Sequence, residues 1–182
     1  MKHVIITLPI QLWQEIVAGR KLFELRKSIP RIHPFSGRVY VVIKGSKIVP
    51  GYFTLSGIVG SNDTDYLWDY CDGNLGISKE EYQRYASTML HCLYAWEIDS
   101  VYVYNNPLNI KLTFGIARNP QSFVYTHGEP NRETIRVRGV RHTQPILDRN
   151  DVMPISVYYS GFWYDIIPEK INDESEPEKA VQ

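Results

Sequence analysis

This chain contains no long apolar run. None approaches the roughly 20 residues that span a bilayer, so no membrane association is expected. The segment leading to Gln11 and Trp13 has neither a basic start nor a small-residue cleavage site, so no signal peptide is expected. Cysteine is almost absent. Cys71 and Cys92 are the only two, and without metal-ligand spacing they read as reduced thiols of a cytoplasmic protein rather than a disulfide framework. The five histidines, His3, His33, His91, His127 and His142, form no HxH or HxxxH pair, so no metal and no other cofactor is expected. Internal repeats, a phosphate-binding glycine loop and a Ser-His-Asp arrangement are missing as well.

Net charge is also missing, but only in the sum. Residues 1–61 carry nine Lys/Arg against two Asp/Glu, a balance of +7. Residues 62–100 stand at −6 (two against eight), residues 101–145 at +4 (six against two) and residues 146–182 at −5 (three against eight). A neutral whole therefore still allows a local positive face of the kind a nucleic acid or nucleotide needs. What is plentiful is core material. With 43% hydrophobic and 13% aromatic residues in 182, the chain suits one domain, or one domain and an extension.

The pattern along the chain is many short strands with helices set among them. Val4–Leu8 is an apolar strand. Pro9 suits a first helical turn, Ile10, Trp13, Ile16 and Val17 recur at helical spacing, and Gly19 stands where a left-handed C-terminal residue is expected. Lys21–Lys27, Val39–Ile43 and Tyr52–Val59 read as strands. Asp63–Tyr70 suits a short helix, and Ser78 with Glu81 forms a capping box, with Ile77 and Tyr82 as its hydrophobic staple. Leu93–Tyr104 is a long strand, Leu108–Phe114 reads as irregular or a short strand, and Ser122–Tyr125 is another strand. Further on, Ile135, Val137 and Val140 alternate with Arg136 and Arg138, and Ile155–Tyr159 with Phe162–Ile167 suggests a hairpin. The acidic stretch 169–182 has too little apolar area to order itself and is expected to be disordered. The fold class is α+β: a small mixed β-barrel with two to three helices.

The most informative stretch is Gly19–Lys27, where cations surround a single carboxylate. Glu24 and Arg26 share one face of an extended segment, Phe23 and Leu25 take the other, and the helix end brings Lys21 near. That pattern suits a binding face for an anionic ligand. A solvated strand edge carrying a local ion-pair cluster would show the same residues.

Several motifs in order resemble the ASCH domains, a branch of the PUA-like superfamily, and in particular small bacterial and phage members. They are Ala18-Gly19-Arg20-Lys21, Glu24-Leu25-Arg26-Lys27 with Pro30, Gly51 before Tyr52-Phe53, the capped helix Ser78–Ala86, Tyr94-Ala95-Trp96-Glu97-Ile98, Tyr104 and Asn106-Pro107. The series closes with Arg118-Asn119-Pro120-Gln121-Ser122-Phe123-Val124-Tyr125. The resemblance covers residues 2–126. Residues 127–168 then form a C-terminal β extension, packed on the barrel or on a second copy of the chain.

That resemblance implies a PUA-like barrel with a cleft beside the Lys-x-x-Glu-x-Arg strand that binds RNA or a modified nucleotide. It also implies two enzymatic alternatives. One is an amidohydrolase acting on N4-acetylcytidine through Lys, Thr and Glu. Lys21 falls on its lysine, but Glu24 stands at its threonine. The other is a metal-independent ribonuclease relying on Tyr, Lys and Ser, types that several tyrosines, Lys21 or Lys44, and Ser122 supply.

Lys21 suits a phosphate anchor or a buried base, and Glu24 a partner for the cations or an acceptor for a base amino group. If the chain is an enzyme, Lys21 and Glu24 are its catalytic candidates. The ligand-binding candidates are Lys21, Glu24 and Arg26, the stacking aromatics Tyr52, Tyr94 and Trp96, and the hydrogen-bonding Gln121 and Ser122. The leading expectation is an RNA- or nucleotide-binding module acting through a basic cleft. A hydrolase on RNA or a modified nucleoside and a protein-interaction domain using the C-terminal strands are the alternatives.

Overall fold

The computed structural model describes residues 1–89, 91–130, 132, 134–139, 155–159 and 162–166. The apolar strand β1 (Lys2–Leu8) runs into helix α1 (Ile10–Ala18), with Pro9 as its N-cap and Gly19 at φ 72° as its left-handed C-cap. Strand β2 (Phe23–Arg26) follows, then β3 (Arg38–Ile43) and the long β4 (Ile48–Ser61). Helix α2 (Thr64–Cys71) is capped by the Asp63 side chain, and α3 (Lys79–Ala86) by the full Ser78/Glu81 capping box. Strand β5 (Leu93–Asn109) leads into α4 (Ile110–Phe114), and β6 (Phe123–His127), β7 (Thr134–Gly139), β8 (Ile155–Tyr159) and β9 (Phe162–Ile166) complete the order.

The main sheet runs β2-β5-β4-β3-β1-β6; β7 pairs with β5, and β8 with β4 and β9. Strands β1 and β3 are parallel and the other pairs antiparallel, so the sheet is mixed. Register shifts along β4 at Val49/Gly51, Phe53/Leu55 and Leu55/Gly57 let it bend and coil. Gly51 sits where a β-carbon would lie 2.1 Å from the Tyr102 carbonyl and 2.9 Å from the Trp13 ring. The close approach of α1 to the sheet depends on that glycine.

The core has three parts. Val4, Ile6, Val39, Val41, Phe53, Trp96 and Ile98 fill the inside of the curve, closed by Trp13 and Ile16 of α1. Outside it, Phe23, Leu67, Leu75, Tyr82 and Leu93 pack under α2 and α3. A third cluster holds Ile5, Tyr40, Tyr52, Tyr104 and Ile110 under α4. Cys71 belongs to the second, and burial pushes its thiol up to about 12, so it is a packing residue.

Two expectations need correction. The sheet does not close into a barrel: its end strands β2 and β6 share no ladder. The side chain of Arg26 bridges that seam instead, donating to the carbonyls of Thr7 and Ser122 at 3.3 and 3.2 Å. Four helices, rather than two to three, occur among the described residues. The unexpected one is α4, where the Asn109 side chain accepts from the amides of Lys111 and Leu112 and Gly115 closes the turn at φ 70°. The sequence suggested irregular structure or a short strand there, but the cap at Asn109 outweighs five residues of mixed propensity. The acidic segment 169–182 lies outside the described residues. No helix among the described residues is long and apolar enough to cross a membrane.

Candidate ligand cleft at the seam

The chain leaving α1 is tied down locally, with the amides of Arg20 and Lys21 both donating to the Glu15 carbonyl. This turns Lys21 inward, beneath the loop that follows α2. Gly76 of that loop has φ 69°, and a β-carbon there would lie 3.2 Å from the Lys21 side chain. The loop therefore lies directly on the lysine, and only glycine fits.

Lys21, Glu24 and Arg26 do come together. Lys21 Nζ donates to the carbonyls of Phe23 and Leu75, each at 2.7 Å, and lies 3.2 Å from Glu24 Oε2. The other carboxylate oxygen of Glu24 is 2.8 Å from Arg26 Nε, an ion pair in which the N–H points away from the oxygen. The alternative of a solvated strand edge does not hold, since both faces of β2 are covered and Lys21 and Glu24 are only 2% and 4% exposed. The strand periodicity correctly put Glu24 and Arg26 on one face. Helices α2 and α3 cover the other face, and the far side of the seam covers this one.

Beside the triad lies a cleft of about 280 Å³. Lys21, Glu24 and Arg26 make its polar floor, Leu8, Leu12, Leu25, Ile77 and Tyr85 its walls, and Thr7 and Glu81 its remaining edge. Burial raises the Tyr85 phenol, only partly offset by Arg26, so it presents a neutral hydroxyl. Two cations and two carboxylates line the cleft, so it is charge-balanced rather than basic.

The other expected ligand residues lie elsewhere. Trp96 is fully buried, with Arg26 5.9 Å from its ring and its Nε1 donating to the Ser28 carbonyl, so it offers no face to a base. Tyr52 belongs to the third core cluster, stacked on Tyr102 at 4.7 Å. Tyr94 packs half-buried on the inner core. Gln121 and Lys44 are exposed and do not line the cleft. Ser122 stands at the seam, its hydroxyl 3.2 Å from that of Ser28. Leu12, Ile77, Glu81 and Tyr85 are cleft residues that the sequence reading missed or assigned only to helix capping and packing. Nothing in their spacing sets them apart from ordinary helix residues.

The crystal structure of ASCH from Zymomonas mobilis superposes with a TM-score of 0.58 at 24% identity, covering 69% of this chain and 87% of that one. This chain has the ASCH-domain fold. A tyrosine-to-phenylalanine variant of the same Zymomonas protein matches with a TM-score of 0.59 at 24% identity, over 70% of this chain and 91% of that one. A serine-to-alanine variant matches at 0.58 and 23%, over 69% and 88%. No family model and no curated protein matches the sequence. Nearly a third of this ASCH-fold chain lies outside the superposition.

Proposed function

We propose that this ASCH-fold protein binds RNA or a nucleotide by accepting one base into the seam cleft. The buried Lys21–Glu24–Arg26 cluster beside an apolar-walled cleft carries this reading. A buried ion cluster gains little stability over apolar packing of the same volume. Its value here is a carboxylate held between two cations, with lone pairs left to accept from the amino or imino edge of a base. Leu8, Leu12, Ile77 and Tyr85 supply flat apolar walls of matching size. The cleft volume sits near the small end of ligand pockets, about 300–1,000 Å³, which favours a single base or nucleoside. Phosphate contacts fall to the rim, where exposed Lys27 lies 4.7 Å from the Tyr85 ring. Binding therefore weakens with salt, though gently.

Fluorescence anisotropy with short single-stranded RNA, and calorimetry with nucleosides, test the reading. The parent chain should bind at low salt. Leu12→Trp fills the cleft from a half-buried position and should weaken binding by about tenfold or more, about 1.4 kcal/mol, with an unchanged melting temperature. No binding by the parent would end the proposal, and full binding by Leu12→Trp would move the site elsewhere.

A further inference from the structure

Among the described residues, four buried side-chain atoms lack a hydrogen-bond partner: His3 Nε2, Arg26 Nε, Tyr40 Oη and Tyr104 Oη. Arg26 Nε is in the seam ion pair. The other three gather at one place on the outer face of the sheet, around Arg38. The strand registers bring them there: Val4 pairs with Val39, so His3 lies beside Arg38, while Tyr40 is opposite Tyr52. The Tyr40 ring lies 5.9 Å from His3 and 5.5 Å from Tyr52, and Tyr104 lies 6.0 Å from Tyr52. Arg38 stands 4.6 Å over the Tyr52 ring.

These groups are mostly donors. His3 Nδ1 accepts the Arg38 amide at 3.0 Å, so the proton of the neutral ring sits on Nε2. The Tyr40 and Tyr104 hydroxyls feel both Arg38 and Glu129; the Arg38 guanidinium can only donate toward the Tyr40 oxygen, so neither hydroxyl proton has an acceptor of good geometry. Asp99 is engaged by Thr54 and Ser100, and among the described residues the carboxylate paired with Arg38 is that of Glu129, which follows the left-handed Gly128 and lies beyond the segment that carries the ASCH resemblance. One of its oxygens pairs with Arg38 Nη2, but the other stays 3.6 Å from His3 Nε2, too far for a hydrogen bond. A planar carboxylate on a side chain that is 45% exposed thus satisfies one donor group and leaves three.

We propose that Arg38, His3, Tyr40 and Tyr104 form a phosphate-binding site, separate from the seam cleft, and that Glu129 occupies it as an internal competitor. A free tetrahedral oxyanion spreads its oxygens in three dimensions and can face all four donors, where the tethered, planar Glu129 carboxylate reaches only Arg38. A dianion, such as inorganic phosphate or a phosphomonoester, also outcompetes the single charge of Glu129. A phosphodiester carries no such advantage. Arg136 of β7 lies on the same outer face, donating to the Ser100 hydroxyl at 2.9 Å, and adds a second guanidinium nearby. The C-terminal extension then acts as a regulator of this face: ligand binding releases Glu129 and loosens the start of β7.

The test uses the full chain with inorganic phosphate as probe, read by calorimetry and by NMR of labelled His and Tyr. Were Glu129 seated about nine-tenths of the time, Glu129→Gln would tighten phosphate binding about tenfold, and tightening is the expected direction. Methyl phosphate should follow inorganic phosphate, and dimethyl phosphate should bind far more weakly. In the Glu129→Gln background, Tyr40→Phe and Tyr104→Phe should each weaken phosphate about tenfold. These variants each remove a single hydroxyl and keep the ring, so they remain informative even if Arg38→Gln fails to fold. Leu12→Trp should leave phosphate binding unchanged. The proposal is overturned if phosphate shifts no His3, Tyr40 or Tyr104 signal in Glu129→Gln, or if both Tyr→Phe variants bind as their parent does. A diester binding as well as a monoester would also overturn it.

Discussion

Arg26 and Ser122 are 96 residues apart in sequence, and the guanidinium of one donates to the carbonyl of the other at 3.2 Å across the open seam of the sheet. The same side chain reaches the Thr7 carbonyl and pairs with Glu24. One residue therefore joins the two sheet edges and completes the floor of the cleft.

Replacing Arg26 should show this directly. Arg26→Met leaves Glu24 with only Lys21 and abandons two carbonyls, an expected cost of about 3–5 kcal/mol. Arg26→Lys retains the charge but lacks the fork that reaches both strands, so it should recover only part of that loss. Urea unfolding measures both. A loss below about 1 kcal/mol for the methionine variant would mean that other contacts hold the seam.

Three glycines should rank by what lies next to them. Gly51→Ala meets a carbonyl at 2.1 Å and should be the most damaging, and Gly76→Ala combines φ 69° with a Lys21 contact at 3.2 Å. Gly73→Ala has φ 71° but open space, so it should cost only the left-handed penalty, about 1 kcal/mol. Thermal melts of the three variants give the order, and Gly73→Ala as the worst would contradict the packing described around Lys21 and Trp13.

Acid should destabilise the fold through His3. Desolvation holds its pKa below the ordinary 6.5, against the pull of Glu129 and aided by Arg38, the N-terminus and His127. Below pH 6.5 the unfolded chain takes up a proton that the folded chain refuses. The stability of the neutral ring is therefore complete above that value and is lost as pH falls through the folded pKa. Denaturation midpoints between about pH 7 and pH 5 should fall more steeply for the parent than for His3→Gln. Parallel slopes would remove His3 from the account.

N4-acetylcytidine should not be hydrolysed. The amidohydrolase resemblance needs a hydroxyl nucleophile where this chain has Glu24, whose carboxylate is held between Lys21 and Arg26. The Lys21 ammonium already donates to two carbonyls at 2.7 Å and pairs with Glu24 at 3.2 Å. Chromatography should detect no cytidine. Its release by the parent, lost in Lys21→Ala, would replace binding by catalysis as the role of the cleft.

Much of this was legible in one dimension. The Ser78/Glu81 box, the Gly19 cap, the β-branched strands and the pairing of Glu24 with Arg26 on one face are local or periodic features, governed by backbone geometry within a few residues. The ordered motifs from Ala18 to Tyr125 carry the resemblance to the ASCH fold. Burial was not legible. The same alternation suits a solvated edge or an interior strand, and the layer that covers β2 comes from residues some fifty positions away, such as Leu75. The aromatics failed as ligand candidates for the same reason. Trp96 and Tyr52 carry no mark in the sequence to separate a stacking face from a core face, and the curl of the sheet sends Trp96 inside and Tyr52 to the opposite surface. Local propensity and periodicity determined which elements form and which side chains share a face. Only the long-range pairing of strands decided that three charges would be buried at one seam, that His3, Tyr40 and Tyr104 would collect around Arg38, and that the Glu129 carboxylate would sit beside them.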